Sequence, residues 1–242
     1  MAVLYLESRA EEPERMDDRS IGGRELEEAL LQLGLINRLL GAAWVTLEGV
    51  VRLWRGAGRP ARLHLLDVGA GAGDLNRLLL RWGRLRGVDL RVTLLDIHPE
   101  TCAHAARRYR DEPRVQVEQG DLFHLPPGRA DIVTASLVLH HLATPELPSA
   151  LLSLRRAARL GVVVNDLHRH PLAAGLIGIA TRLLSRNPMI RHDAPLSVRR
   201  GFRAAELEAL RSTPGLEGLR WRWRPFFRYL ITLPGEGERC GI

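Results

Sequence analysis

The sequence predicts an α/β protein built on a mostly parallel sheet with helices on both faces, and three observations carry that expectation. Between residues 62 and 167 short apolar runs alternate with segments of helical period, the pattern of right-handed strand–helix–strand crossovers. The first of these runs opens into "LLDVGAGAGDL" (65 to 75), with glycines at 69, 71 and 73. Glycine allows a tight turn there and leaves the backbone bare to a ligand. The third is the ending, "LEGLRWRWRPFFRYLITL" (216 to 233), which alternates like two strands joined at Pro225 and fits an antiparallel closing hairpin.

Taken in order, "ELEEALLQLGLINRLL" (25 to 40) spaces leucines at helical intervals, with acids early and arginine late as the helix dipole prefers. A second helix is expected over 42 to 54, broken by "RGAGRP". Both precede the first good strand, so residues 1 to 58 read as an N-terminal helical cap and 59 to 242 as the main domain. Strands are then expected over 62 to 68, 90 to 97, 114 to 122, 130 to 139 and 159 to 167. The helices between them are expected over 74 to 85, 99 to 110 (with Pro99 in its first turn) and 149 to 158. Beyond them "HPLAAGLIGIATRLLSR" (170 to 186) is an apolar helix that a compact sheet domain does not need. It marks a lid insertion over about 168 to 202, followed by a helix over 204 to 212.

Composition narrows the class. A length of 242 residues suits one large domain, and the 45% apolar and 26% charged content is that of a folded soluble chain. All 35 basic residues are arginine, and the net charge of +7 is scattered beside acids rather than gathered into a run, which argues against a nucleic-acid partner. Cys102 and Cys240 match no metal or redox spacing, so no metal is expected and a reducing, cytoplasmic setting fits. No signal peptide is read at the N-terminus. The apolar stretch 171 to 184 is too short for a bilayer and contains Arg182; no transmembrane segment is expected, and a peripheral membrane contact and the oligomeric state stay open.

The glycine turn admits two cofactors. In the nicotinamide fingerprint two residues separate the second and third glycines, whereas here Asp74 stands where the third glycine belongs. Asp67, just before the turn, would repel a pyrophosphate and attract a cationic aminoacyl sulfonium. Asp96 closes the second strand, where a carboxylate accepts from a ribose diol of either cofactor. Asp121 closes the third, within reach of an exocyclic adenine amine, with Ile97 and Leu122 placed to pack on the adenine faces.

With these motifs in view, "LLDVGAGAGDL", "LLDIHPE", "GDLFHLP" and "ADIVTASLVLHHLATPE" resemble, in order and spacing, the motifs of class I S-adenosylmethionine-dependent methyltransferases. The resemblance covers about residues 60 to 167 and is nearest to small-molecule O-methyltransferases of the ubiquinone and natural-product type. It implies a Rossmann-like, seven-stranded sheet with an antiparallel last strand. It also implies S-adenosyl-L-methionine as cofactor, its amino-acid part cradled by Asp67, Gly69, Ala70, Gly71 and Gly73, the ribose by Asp96, the adenine by Asp121, Ile97 and Leu122, and the floor lined by Ser136.

Methyl transfer is an in-line displacement, and an oxygen acceptor gains from a base that takes its proton. "LHHL" places His140 and His141 just past the fourth strand, as a base or as packing beside the cofactor. Asp166 ends the fifth strand on the same rim, where it orients a histidine, binds a substrate hydroxyl or caps the following helix. His168, His170 and His192 bracket the lid helix, whose Leu172, Leu176, Ile177, Ile179 and Leu183 suit a small hydrophobic or aromatic acceptor or a packing contact. "ERMDD" (14 to 18) and the first helix are expected to close over the cofactor, with Arg15, Met16 and Asn37 as contacts. The reading is O-methylation of a phenolic, quinol or polyketide-like metabolite. RNA or other N- or C-methylation, a nicotinamide oxidoreductase and a non-catalytic cofactor-binding protein are the alternatives. The "ASLVL" after the fourth strand, in place of an "NPPY"-type motif, argues against exocyclic base amines.

Overall fold

The computed structural model describes residues 6 to 18 and 21 to 235; Cys240 lies outside them. Seven strands form one sheet in the order β3-β2-β1-β4-β5-β7-β6. They are β1 (Arg62–Val68), β2 (Asp89–Asp96), β3 (Val115–Gln119), β4 (Ala130–Ser136), β5 (Ala158–Leu167), β6 (Arg220–Arg224) and β7 (Arg228–Pro234). The first five pair in parallel, while β7 runs antiparallel to both β5 and β6. This is the Rossmann-like class I methyltransferase fold that the resemblance implies. Central β4 and β5 read as nearly continuous apolar runs because helices cover both faces.

Eight helices accompany the sheet among the described residues: α1 (Gly23–Leu39), α2 (Ala42–Gly56), α3 (Asn76–Arg86), α4 (Pro99–Tyr109), α5 (Leu147–Ala157), α6 (Pro171–Leu184), α7 (Pro188–Arg200) and α8 (Ala204–Arg211). One apolar cluster joins Leu66, Val133, Val164, Ile231 and the α5 residues Leu151 and Leu154; the opposite one joins Leu65, Leu79, Leu90, Ile132, Val163 and Leu230. The two clusters use alternate residues of the same strands, as a two-faced sheet requires.

The segment expected as a cap, 1 to 58, divides in the structure. α2 contributes Val45, Leu47, Val50 and Trp54 to the second cluster. It lies so close to β5 that a Cβ on Gly49 would stand 2.4 Å from Val163 Cγ1. It is therefore a sheet-covering helix of the main domain. The capping role falls to α1 and residues 6 to 18, which pack on α7: Met189 and Ile190 meet Ala29, Ile36 and Met16.

Strand ends also differ from the periodicity. β4 stops at Ser136 because Leu137 adopts φ 61°, a left-handed conformation that turns the chain away from the sheet. α7 lies inside the expected lid, over residues to which the sequence reading assigned no element, and it carries Pro195 in its middle. The helix forms from a strong start, with Asn187 accepting the Ile190 N–H at 3.2 Å and Pro188 at its first position. No single helix among the described residues is long and apolar enough to cross a membrane.

Candidate active site

The carboxyl ends of β1, β2, β4 and β5 open into a cavity of about 1460 Å³, roofed by residues 7 to 17, α1 and α6. That exceeds the roughly 300–1,000 Å³ of common ligand pockets. The sequence-derived residues Gly69, Ala70, Gly71, Asp96, Ile97, Asp121, Leu122, Ser136, His140 and His141 all line it.

The glycine turn forms its floor. Gly69 and Gly71 have φ of 63° and 57°, values natural to glycine. A Cβ on Gly69 would strike Val138 at 2.5 Å, whereas one on Gly71 would meet open cavity. Asp96 holds this turn: one carboxylate oxygen accepts the Gly71 N–H and the other the His98 N–H, each at 2.9 Å. Each oxygen keeps a lone pair for a further donor. Asp121 caps the short turn 122 to 124 by accepting the Phe123 N–H at 3.0 Å. Ser136 Oγ lies 2.8 Å from Thr46 Oγ1, which Asn165 also reaches at 3.2 Å.

Two residues expected in the cradle stand behind the cavity wall. Asp67 is buried, accepting from Asn76 Nδ2 at 2.5 Å and Thr134 Oγ1 at 2.6 Å; burial raises its carboxyl to about 6, against those two hydrogen bonds. It fixes the base of the turn and does not face the cavity. Gly73 packs under Leu94 and Tyr109, and its carbonyl accepts the Tyr109 hydroxyl at 2.6 Å.

The acceptor side is organised by a polar cluster. His140, 3% exposed, has Nδ1 2.6 Å from Asp166 Oδ1, and its backbone N–H donates to the other oxygen at 3.2 Å. Asp166 is wholly buried behind it and also accepts the Leu167 N–H at 2.8 Å. Burial pushes its carboxyl up, but His140 and these N–H groups prevail and hold it below the usual range. Asp166 thus orients a histidine; the cap of α6 is His170, whose Nδ1 accepts the Leu172 N–H.

His141 Nδ1 lies 2.6 Å from Asp17 Oδ1. Burial pulls the imidazole down, yet the bond to Asp17 and the charges of Glu14, Asp17 and Asp166 outweigh it and raise its pKa. The other Asp17 oxygen accepts the Glu14 N–H at 3.0 Å, tightening the turn. Glu14 is 5% exposed; its Oε1 has no hydrogen-bond partner and stands 3.6 Å from His140 Nε2, while Oε2 stands 4.0 Å from His141 Nε2.

The sequence reading missed what locks this cluster. Asp193 accepts the Arg15 and Met16 N–H groups at 2.9 and 3.0 Å. Arg200 donates to the carbonyls of His140, His141 and Glu12, and Arg9 to those of His140 and Leu142. On the far wall Arg228 is 1% exposed with Nη1 unpartnered, and burial lowers it to about 10. Met16 and Asn37 line the cavity; Arg15 does not, nor do His168, His170 and His192. Of the five apolar lid residues singled out in the sequence, Leu176 and Ile177 reach it, and Leu172, Ile179 and Leu183 face solvent.

The sheet order, the reversed β7 and a glycine turn beneath a strand-end acid define a class I methyltransferase architecture. Residues 65 to 161 match the family model described as a methyltransferase domain. Among solved structures the chain is similar to human N-acetylserotonin methyltransferase in complex with SAM (TM-score 0.60, 18% identity, 97% of this chain and 64% of that one). It is also similar to magnesium protoporphyrin IX methyltransferase from Synechocystis PCC 6803 with bound SAH (0.55, 17%, 82% and 85%). A third likeness is to the CMeT domain of the citrinin polyketide synthase (0.55, 15%, 73% and 47%), so the chain spans about half the length of that structure. A search of curated proteins finds no match. At these identities the likenesses are of fold.

Proposed function

We propose that this protein is an S-adenosylmethionine-dependent methyltransferase acting on an oxygen of a small, hydrophobic phenolic, quinol or polyketide-like acceptor. The observation that carries the reading is one cavity with two unlike ends. Its β1–β2–β3 end offers a bare glycine turn and the carboxylates Asp96 and Asp121; its β4–β5 end offers the histidine cluster. The first end fits the cofactor: Gly71 leaves open space where a side chain would stand, Asp96 keeps lone pairs for a ribose diol, and Ile97 and Leu122 offer apolar lining for an adenine. When bound, S-adenosylmethionine supplies an electrophilic methyl group.

The chain's own work is to bind, align and dispose of a proton. Residues 7 to 17, α1 and α6 keep water from the sulfonium. Apolar Leu176, Ile177, Phe226 and Phe227 line the acceptor end, which supports a hydrophobic acceptor. His140 and His141 each have Nδ1 tied to a carboxylate, which reserves Nε2, beside Glu14 on the cavity lining, for the proton of an acceptor hydroxyl.

Calorimetric titration with S-adenosylmethionine, its demethylated product and NADH in parallel tests the cofactor. Binding of both adenosyl compounds without NADH is expected, followed by methyl transfer to simple phenols; binding of NADH alone overturns the reading. An RNA acceptor would show binding that falls steeply with salt.

A further inference from the structure

We propose that Glu14, His140 and His141 form a binding site for one divalent first-row metal ion, zinc fitting best. The argument begins with what each group has left to offer. His140 Nδ1 is held by Asp166 and His141 Nδ1 by Asp17, both at 2.6 Å. A neutral histidine with Nδ1–H bonded to a carboxylate turns a lone pair outward on Nε2, the arrangement in which imidazole serves metals. Both Nε2 atoms point at the same carboxylate, that of Glu14, and one ligand atom from each of the three residues lies within 4.8 Å of the others.

With both imidazoles neutral, a cation seated between their Nε2 atoms and Glu14 would offset the buried carboxylate. Glu14 Oε1 is buried and without a hydrogen-bond partner, and such an atom carries its whole desolvation penalty. An imidazolium N–H would close onto it at about 2.7–2.9 Å, yet the separations are 3.6 and 4.0 Å. Metal bonds of about 2.0–2.2 Å to nitrogen and oxygen place neighbouring ligand atoms roughly 3 to 4 Å apart; the two imidazole–carboxylate separations fall in that range, and the full set lies within 4.8 Å, so a bound ion draws the three groups slightly together. Two histidines and one carboxylate also leave coordination positions open, on the side where all three residues line the cavity.

The surroundings are built to hold such a site. Asp17 fixes the Glu14 turn and orients His141, Asp193 secures the same turn from α7, and Arg9 and Arg200 grip the histidine carbonyls. The guanidiniums of Arg9 and Arg200 donate to carbonyls, and among the described residues Glu14 Oε1 is left without a hydrogen bond. Positioning of this kind is what metal ligands need from their supporting residues.

The site stands on its own geometry; its part in catalysis rests on the function proposed above. An acceptor hydroxyl bound to the ion ionises more readily, releasing its proton to solvent. Its oxygen then attacks the methyl carbon, the carbon–sulfur bond breaks, and sulfur keeps the electron pair. The histidines then act through the metal rather than as free bases.

The test uses untagged full-length protein stripped with a chelator. It is titrated with Zn²⁺ by calorimetry and with Co²⁺ by visible absorption. One saturable equivalent and a Co²⁺ ligand-field spectrum are expected. Glu14→Gln and, separately, His141→Gln should each lower affinity at least about tenfold while thermal unfolding shows a folded protein. Absence of saturable binding, or undiminished binding by a folded Glu14→Gln protein, overturns the site. Titration of the same protein with S-adenosylmethionine separates the two readings: metal bound without cofactor sinks the methyltransferase, and cofactor bound without metal sinks this inference.

Discussion

The Asp166 carboxylate holds His140 at two points, accepting from its backbone N–H at 3.2 Å and standing 2.6 Å from its ring Nδ1. One buried acid thereby sets both where the histidine sits and which nitrogen faces the cavity. Asp166→Asn keeps the shape but can present its amide N–H to Nδ1, favouring the wrong tautomer. We expect kcat to fall about 10²-fold or more, with S-adenosylmethionine affinity changed less than about twofold. Single-turnover methyl transfer alongside calorimetry separates the two.

Asp96 ties the Gly71 turn to the end of β2 and faces the expected ribose. Asp96→Ala removes a charged acceptor and frees the turn. Hydrogen bonds to charged groups contribute about 1.5–3 kcal/mol, so cofactor affinity should drop roughly ten- to a hundredfold. Unchanged affinity would place the cofactor elsewhere.

Asp67 gives a stability effect of the opposite sign to most carboxylates. Its folded value of about 6 lies above the ordinary aspartate value of 3.8, so the folded state binds the proton more tightly and loses stability as pH rises through that window. Between pH 4.5 and 7 the loss is about 2 kcal/mol. Asp67→Asn removes it. The difference in urea-unfolding free energy between wild type and variant should therefore shift by about that amount, in the variant's favour at pH 7, whatever the other carboxylates do to each curve.

The hairpin turn carries backbone strain at the cavity rim. Phe226 and Phe227 have φ of 61° and 53°, costing about 1–2 kcal/mol each for a side-chain-bearing residue. Phe227 recovers part of this by stacking on His170 at 5.0 Å, while Phe226 is largely exposed. Phe226→Gly should raise stability by about 1 kcal/mol by thermal or chemical unfolding and raise KM for the acceptor, exchanging binding surface for relaxed backbone.

The sheet was legible because its signals are local. Apart from β3, whose VQVEQ alternates, the strands from β1 to β5 are largely apolar runs, and each expected strand falls on an observed one. That Asp96, Asp121, His140 and His141 line one cavity was legible because strand ends put side chains on one rim. Asp67 was misplaced for a related reason: alternation along β1 fixes its face of the sheet, but only the tertiary contacts of Asn76 and Thr134 show that it points behind the turn. Glu14, Asp17, Asp193 and Arg200 sit on segments with no strand periodicity, and what recruits them is contact with residues more than fifty positions away in the chain. "ERMDD" drew notice as a roof over the cofactor, yet nothing local distinguishes its buried Glu14 from its exposed neighbours. α7 stayed hidden because Pro195 argues against a helix that its Asn187–Pro188 start supports.

The clasp between the first residues and the last third of the chain also sets an order of events. Leu6 and Glu7 carbonyls accept from Arg169, Arg9 donates to the Arg200 carbonyl, and Ala10 N–H to that of Arg199. During synthesis the N-terminal segment emerges first and finds none of these partners, because the ribosome has yet to make them. It waits, and it docks only after α7 exists. The cluster of Glu14, His140 and His141 therefore takes its final form only once α7 has been made, and a nascent chain cut short before residue 200 would carry the glycine turn without the contacts that fix Glu14.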